Sequence, residues 1–171
     1  ICCNPSNLKS DQALTAILDK DAATISVFSG NKNQPILVQN ARPDFRPYLH
    51  PIAAPDGKGL LTENSPEHHA HQTGLYWGFT RVNGQKIGID SLMNFFYEPK
   101  TEEQKAIKGR DYFHNPGKDH WKRVSFDIID SIGNKVSWQT VYFMLDANGE
   151  PLMKETQVWS LELKKEQYLL D

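Results

Sequence analysis

Four of the six histidines fall between His50 and His71, namely His50, His68, His69 and His71. Imidazole titrates near neutral pH, with an unperturbed pKa of about 6.5, so such a group suits proton transfer. Spacing decides which side chains meet. On an extended chain successive residues point to opposite faces. In Arg46-Pro47-Tyr48-Leu49-His50 one face would carry Arg46, Tyr48 and His50, a cation, a phenol and an imidazole. If the histidine-rich segment is extended too, His69, His71, Thr73, Leu75 and Trp77 share a face, and Trp77 would floor a polar pocket. Three chemistries could use these residues. His69 and His71 could act as general acid and base. The His-x-His spacing could place both on a divalent metal, with His50 as a third ligand. Arg46 with the imidazoles could hold an anionic group. Against all three stands a plain reading, that Glu63 to Gln72 is a solvated polar loop and His68 simply part of it.

Glu155 is the other residue that asks for an explanation. In Met153-Lys154-Glu155-Thr156-Gln157-Val158-Trp159-Ser160-Leu161, alternation puts Glu155 and Gln157 on the face bearing Met153, Trp159 and Leu161. A carboxylate on an apolar face is costly unless it is paired or functional. It is either a catalytic base or the buried partner of an arginine such as Arg46 or Arg123. There is no Gly-x-Ser-x-Gly, no phosphate-cradling glycine loop and no His-Glu-x-x-His. Asp127, Asp130 and Asp146 read as turn-solvating residues.

The elements that must hold these residues are mostly strands. Ile25 to Phe28 is a strand ended by Ser29-Gly30-Asn31, and Pro35 to Val38 is a second. Arg46 to Ile52 is a third, at an edge or a bulge because Pro47 and Pro51 lie in it. Leu75 to Val82 reads as a strand closed by Asn83-Gly84. Leu14 to Leu18 reads as a helical turn or an edge strand, and Glu102 to Lys108 as a short helix. Pro55-Asp56-Gly57 and Pro116-Gly117 are turns. In the last third, Val124, Phe126 and Ile128 alternate with polar residues. Val136 to Leu145 and Leu152 to Leu163 then follow across the turns at Gly133-Asn134 and Asp146 to Gly149. This is an antiparallel meander. Gln167 to Asp171 opens a further strand, so the expectation is a domain completed by C-terminal strands beyond residue 171 or by another chain.

Bulk composition narrows the class. The chain has 171 residues, 39% hydrophobic and 23% charged, which suits one globular domain over 13–171 behind a polar lead-in over 1–12. A net charge of -2 gives no electrostatic case for nucleic acid. No apolar run approaches the ~20 residues of a membrane-spanning helix. Four Trp, six Tyr and eight Phe suit a β core, and equally suit surfaces on which sugar rings stack. The two cysteines, Cys2 and Cys3, are adjacent, so no internal disulfide is expected. A cysteine so near the start, followed by polar Asn4 to Ser10, matches the acylated cysteine and tether of a bacterial lipoprotein of the periplasm or cell envelope.

Several runs taken together carry a resemblance. They are Arg46-Pro-Tyr-Leu-His50-Pro, Pro55-Asp-Gly57, His69-Ala-His71-Gln-Thr-Gly74-Leu-Tyr-Trp77-Gly and Val82-Asn-Gly84, then Asp146-Ala-Asn-Gly149 and Met153-Lys-Glu155-Thr156. Their order and spacing over roughly residues 35 to 171 resemble a family of uncharacterised bacterial proteins known as methane oxygenase PmoA-like. The resemblance implies a large antiparallel sandwich of the galactose mutarotase-like kind, in sugar-degrading bacteria. The copper enzyme of the label is a membrane protein, and this sequence has no apolar span to match it. Members often read His-Pro-His-His-Arg-Gly where this chain reads His69-Ala-His71-Gln72-Thr73-Gly74, so roles resting on the second paired histidine and the arginine do not carry over.

The expectation is therefore a mostly-β, antiparallel β-sandwich, supersandwich-like, that acts on a small-molecule or oligosaccharide ligand without a cofactor. Epimerisation, mutarotation or elimination is expected in preference to hydrolysis, for want of paired carboxylates. His69, His71 and Glu155 would be catalytic, and Arg46, Tyr48, His50 and Trp77 would bind the sugar. The alternatives are a divalent-metal enzyme built on His50, His69 and His71, and a non-catalytic sugar-binding module.

Overall fold

The computed structural model describes residues 13–69, 71–85, 100–114, 120–165 and 167–171. The lead-in with Cys2 and Cys3, and the Pro116-Gly117 turn, lie outside the described residues. Two antiparallel sheets face one another. The first contains β1 (Leu14–Asp19), β2 (Thr24–Ser29), β3 (Leu37–Asn40), β4 (Tyr48–Ile52), β5 (Leu75–Tyr76) and β7 (Ile132–Gly133), in the order β5-β4-β3-β2-β1-β7. The second contains β6 (His120–Asp130), β8 (Lys135–Leu145), β9 (Pro151–Lys164) and β10 (Gln167–Leu170), in the order β10-β9-β8-β6. The protein is a mostly-β sandwich.

Alternation drives the layering. β2 buries Ile25, Val27 and Ser29 and half-exposes the residues between them. β1 buries Leu14 and Ala16 from the same side. These side chains meet Val136, Trp138 and Leu161 of the second sheet in one core. A fully buried side chain of this kind stabilises the fold by roughly 1.5–3 kcal/mol. Trp138 also donates its indole N–H to Gln39 Oε1 at 3.1 Å. That bond crosses the sandwich and satisfies two polar groups that would otherwise be costly to bury. A second, smaller core of Tyr112, Trp121, Tyr142 and Met144 lies apart from the first.

The helix α1 (Glu102–Lys108) forms where expected, and its ends explain why. Thr101 accepts from the Gln104 backbone N–H, and Gln104 reaches back to the Thr101 N–H, a reciprocal capping box. Glu102 and Glu103 sit at its positive end and Lys105 and Lys108 at its negative end.

Several expected elements differ. Residues 14–18 are strand, and β1 lies inside the sheet between β2 and β7. β4 begins at Tyr48, so Arg46 is outside it. It tolerates Pro51 because its pairing with β3 is bulged between Leu37 and Gln39. The expected strand over residues 75–82 stops after Tyr76. Gly78 instead packs on Phe113, where an added Cβ would lie 2.6 Å from the Phe113 Cα. Arg81 and Asn83 take positive φ, and Val82 bridges to Arg110. Val124 is 50% exposed although Phe126 is buried. The β6–β8 register slips between Arg123 and Ser125, which breaks the two-residue period at that point.

Candidate functional site

Arg46 organises one end of the first sheet. It is 1% exposed. Its Nη1 donates to the Phe113 carbonyl at 3.2 Å and its Nη2 to the His71 carbonyl. The guanidinium carbon lies 4.2 Å from the Tyr76 ring centroid and 4.8 Å from that of Phe45. Burial lowers its pKa, while Tyr76, Asp111 and Tyr48 pull the other way. An arginine stays charged under such conditions. The side chain expected to orient ligand oxygens is buried and engaged by two carbonyls. It ties the loop at residue 71 to the loop at residue 113.

That tie brings imidazoles together. The His71 ring lies 5.7 Å from His69 and 5.0 Å from His114, centroid to centroid. His114 is held by Asp111, which is 3% exposed. Asp111 Oδ1 accepts from the backbone N–H groups of Phe113 and His114, each at 3.0 Å. Its Oδ2 lies 3.1 Å from His114 Nδ1. A carboxylate only accepts, so Nδ1 of His114 carries the hydrogen in this pair. Burial lowers the pKa of His71, and the neighbouring His114, His69 and Arg46 lower it further. His71 is therefore a neutral imidazole at neutral pH, able to accept a proton. The Tyr76 phenol is pushed up by burial, and its buried hydroxyl has no hydrogen-bond partner among the described residues.

His69 lies in a single 3-10 turn, Glu67–His69, so the face shared from His69 to Trp77 does not form. The side chain of His68 lies outside the described residues. His50 faces elsewhere. Its Nδ1 lies 2.9 Å from Thr62 Oγ1, which also accepts from the Ile52 N–H. Gly74, at φ +99°, passes so close that an added Cβ would sit 2.3 Å from the Leu49 carbonyl oxygen and 2.9 Å from the His50 Cβ. Tyr48 is paired across the sheet with Tyr76 and meets Phe45 edge-on at 6.2 Å. Among the described residues no group of three His, Cys, Asp or Glu side chains is placed to hold a metal ion. The alternative ligand set of His50, His69 and His71 is not assembled.

Glu155 and Trp77 meet at a second place, a cleft of about 450 Å³ lined by Trp77, Phe79, Glu155, Gln157 and Trp159 and reached by Asp171. Trp77 is 57% and Phe79 46% exposed. Glu155 and Gln157 share the face of β9 that alternation assigns them. Burial raises the Glu155 pKa, with a smaller opposing effect from the Gln157 amide. The two side chains are close neighbours, but no hydrogen bond of normal geometry closes between them, and Glu155 Oε2 and Gln157 Nε2 are both buried without another partner among the described residues. The other end of Gln157 is fixed, its Oε1 accepting from the Trp159 indole at 3.0 Å. Neither arginine considered as a partner for Glu155 is engaged with it, since Arg123 donates to the Ala41 carbonyl. Among the described residues no histidine lines this cleft. The site that spacing drew as one is two neighbouring places, with Phe113 and Gly78 between them.

Asp111 and His114 were not singled out from the sequence. The available signal was an Asp followed three residues later by a His beside a turn, and that spacing is common in loops that do nothing further.

The profile of a protein family, described as a family of unknown function (DUF6807), matches residues 36–171. That description speaks neither of methane oxygenases nor of mutarotases. No curated protein and no solved structure matches the chain.

Proposed function

We propose that this chain, which belongs to the DUF6807 family of unknown function, is a carbohydrate-acting protein of the bacterial envelope that moves protons on a sugar with His71 and His114. The observation that carries the reading is the pairing of a neutral, pKa-depressed His71 with a His114 ring 5.0 Å away whose Nδ1 is held by buried Asp111. Two imidazoles this close can act on one substrate, one taking a proton as the other gives one. In a mutarotation step His71 accepts the proton of the anomeric hydroxyl and protonated His114 gives one to the ring oxygen. The ring C–O bond breaks, the carbonyl forms, and reclosure on the other face reverses both transfers. His69 stands beside His71 as the next group in line. The envelope assignment rests on the Cys2-Cys3 lead-in alone. Among the described residues no helix is long and apolar enough to cross a membrane.

The test is anomer exchange of glucose, galactose and their 6-deoxy forms, followed by magnetisation-transfer NMR. Folded protein should accelerate at least one sugar. His71→Ala should lose about 100-fold, within the usual span for a general base. Asp111→Asn should lose about tenfold with KM unchanged, since it removes orientation rather than contact. A folded protein that accelerates none of them sinks the reading. A non-catalytic sugar-binding module is the second reading, favoured by the exposed rings of Trp77 and Phe79.

A further inference from the structure

We propose that the imidazole corner is an acid-released latch, in which a proton taken up by His71 parts the loop at residue 71 from the loop at residue 113. The latch stands on the geometry of the corner. Only its consequence, a site assembled near neutral pH and taken apart in acid, rests on the proton-transfer reading above. One buried cation joins the two loops. Arg46 donates from Nη1 to the Phe113 carbonyl and from Nη2 to the His71 carbonyl. Arginine keeps its charge at any pH the fold meets. The bond that holds the loop at residue 71 therefore runs from a permanent cation to the backbone of a residue whose ring can become a second one.

The groups around His71 come from four elements. Arg46 stands ahead of β4, and Tyr76 of β5 covers its guanidinium at 4.2 Å. The 3-10 turn brings His69, 5.7 Å from His71 between ring centroids. The loop after α1 brings Asp111 and His114, the latter 5.0 Å away. Glu63 and Glu67 lie on the same loop as His71 but are exposed, so water and salt screen them. Among the described residues the carboxylate that faces His71 from the interior is Asp111. It is committed to His114 Nδ1 and to the backbone N–H groups of Phe113 and His114. A proton on His114 therefore meets its counter-charge, whereas a proton on His71 is set against Arg46 and His114 together. Burial adds to the cost, and the closed corner resists charging His71. Once the loop lifts off Arg46, the ring meets water and binds its proton with ordinary affinity. Acid thus favours the open form by mass action.

The test is native-state hydrogen exchange in neutral and acid buffer, read as protection factors so that the chemical pH dependence of exchange drops out. The reporting amides are Gln72, bonded to the His69 carbonyl at 2.8 Å, and Phe113 and His114, each bonded to Asp111 Oδ1 at 3.0 Å. Their protection should fall about tenfold between about pH 7 and about pH 5, while the paired amides of β2 and β8 hold within about twofold. His71→Gln cannot take up the proton, so its loop amides should also hold within about twofold. NMR titration of the His71 ring in the parent protein covers a variant that does not fold. Loss of protection should share the midpoint of that ring, and midpoints more than about one pH unit apart overturn the latch. Unchanged loop protection in acid overturns it, and so does an equal fall in folded His71→Gln, which would put the trigger on another group. A fall shared by β2 and β8 is acid unfolding of the whole sandwich and overturns it as well. Simple protonation of the base would slow anomer exchange in acid without touching protection, so the two readings fail separately. A protein that accelerates no sugar yet loses loop protection in acid sinks the proton-transfer reading and keeps the latch.

Discussion

The imidazole corner and the aromatic cleft lie side by side but are held by different numbers of bonds. In the corner a buried cation is engaged by two carbonyls, a buried aspartate takes two backbone N–H groups and a ring nitrogen, and the geometry is held from behind. In the cleft Gln157 is anchored at one end by the Trp159 indole, and its amide and the neighbouring Glu155 carboxyl close no hydrogen bond of normal geometry. Neither place is fully satisfied, since Arg46 Nε and the Tyr76 hydroxyl of the corner are also buried without a partner among the described residues. The difference lies in the number of fixed bonds: several hydrogen bonds to one group hold its orientation, as at Asp111 and His114, whereas a single anchor leaves the rest of the side chain free to turn.

The largest effect on that contrast should come from Arg46. Arg46→Met keeps the bulk and removes the donors, leaving the His71 and Phe113 carbonyls without their bonds. We expect a loss of about 3 kcal/mol in urea-induced unfolding. A loss below about 0.5 kcal/mol would mean that Arg46 does not organise the corner.

The two places should also answer pH with opposite signs. The folded-state pKa of His71 is depressed, so the unfolded chain binds the proton more readily. Its contribution to stability is whole above the unfolded value of about 6.5 and is lost as pH falls through the folded value. His71→Gln should therefore flatten the decline of the melting temperature between about pH 7 and pH 5. The folded-state pKa of Glu155 is raised, so its contribution is whole below the unfolded value of about 4.3 and is lost as pH rises through the folded one. Glu155→Gln should stabilise the protein by on the order of 1 kcal/mol at pH 8 and by almost nothing at pH 4. This is the smallest effect of the three. A Glu155→Gln protein less stable than the parent at pH 8 would show that the carboxylate has a partner and that the cleft is not unsatisfied.

Local pattern carried much of the architecture. The period-two alternation of β2 and β9, the turn residues at Asp146 to Gly149 and the Thr101/Gln104 cap all depend on neighbours within a few positions, and each is readable in the chain. So was the placement of Glu155 and Gln157 on one face of β9, because a strand must alternate. Reading failed where a bulge or a positive φ broke the period, at Val124 and after Tyr76. No residue type announces a register slip that is imposed by the partner strand.

The sites divide along the same line. The sequence was enough to mark His69, His71, Glu155 and Trp77 as residues whose chemistry needs accounting for, since imidazole, carboxyl and indole carry their properties with them. Which of them share a pocket depends on contacts between residues tens of positions apart. Arg46 is joined to Phe113, and His71 to His114, by the folding of loops onto one end of a sheet. Such pairings come from the packing of the whole sandwich, and no spacing along the chain encodes them. That packing separated Glu155 from the imidazoles, buried Arg46 against two carbonyls, and supplied the buried Asp111 that orients His114.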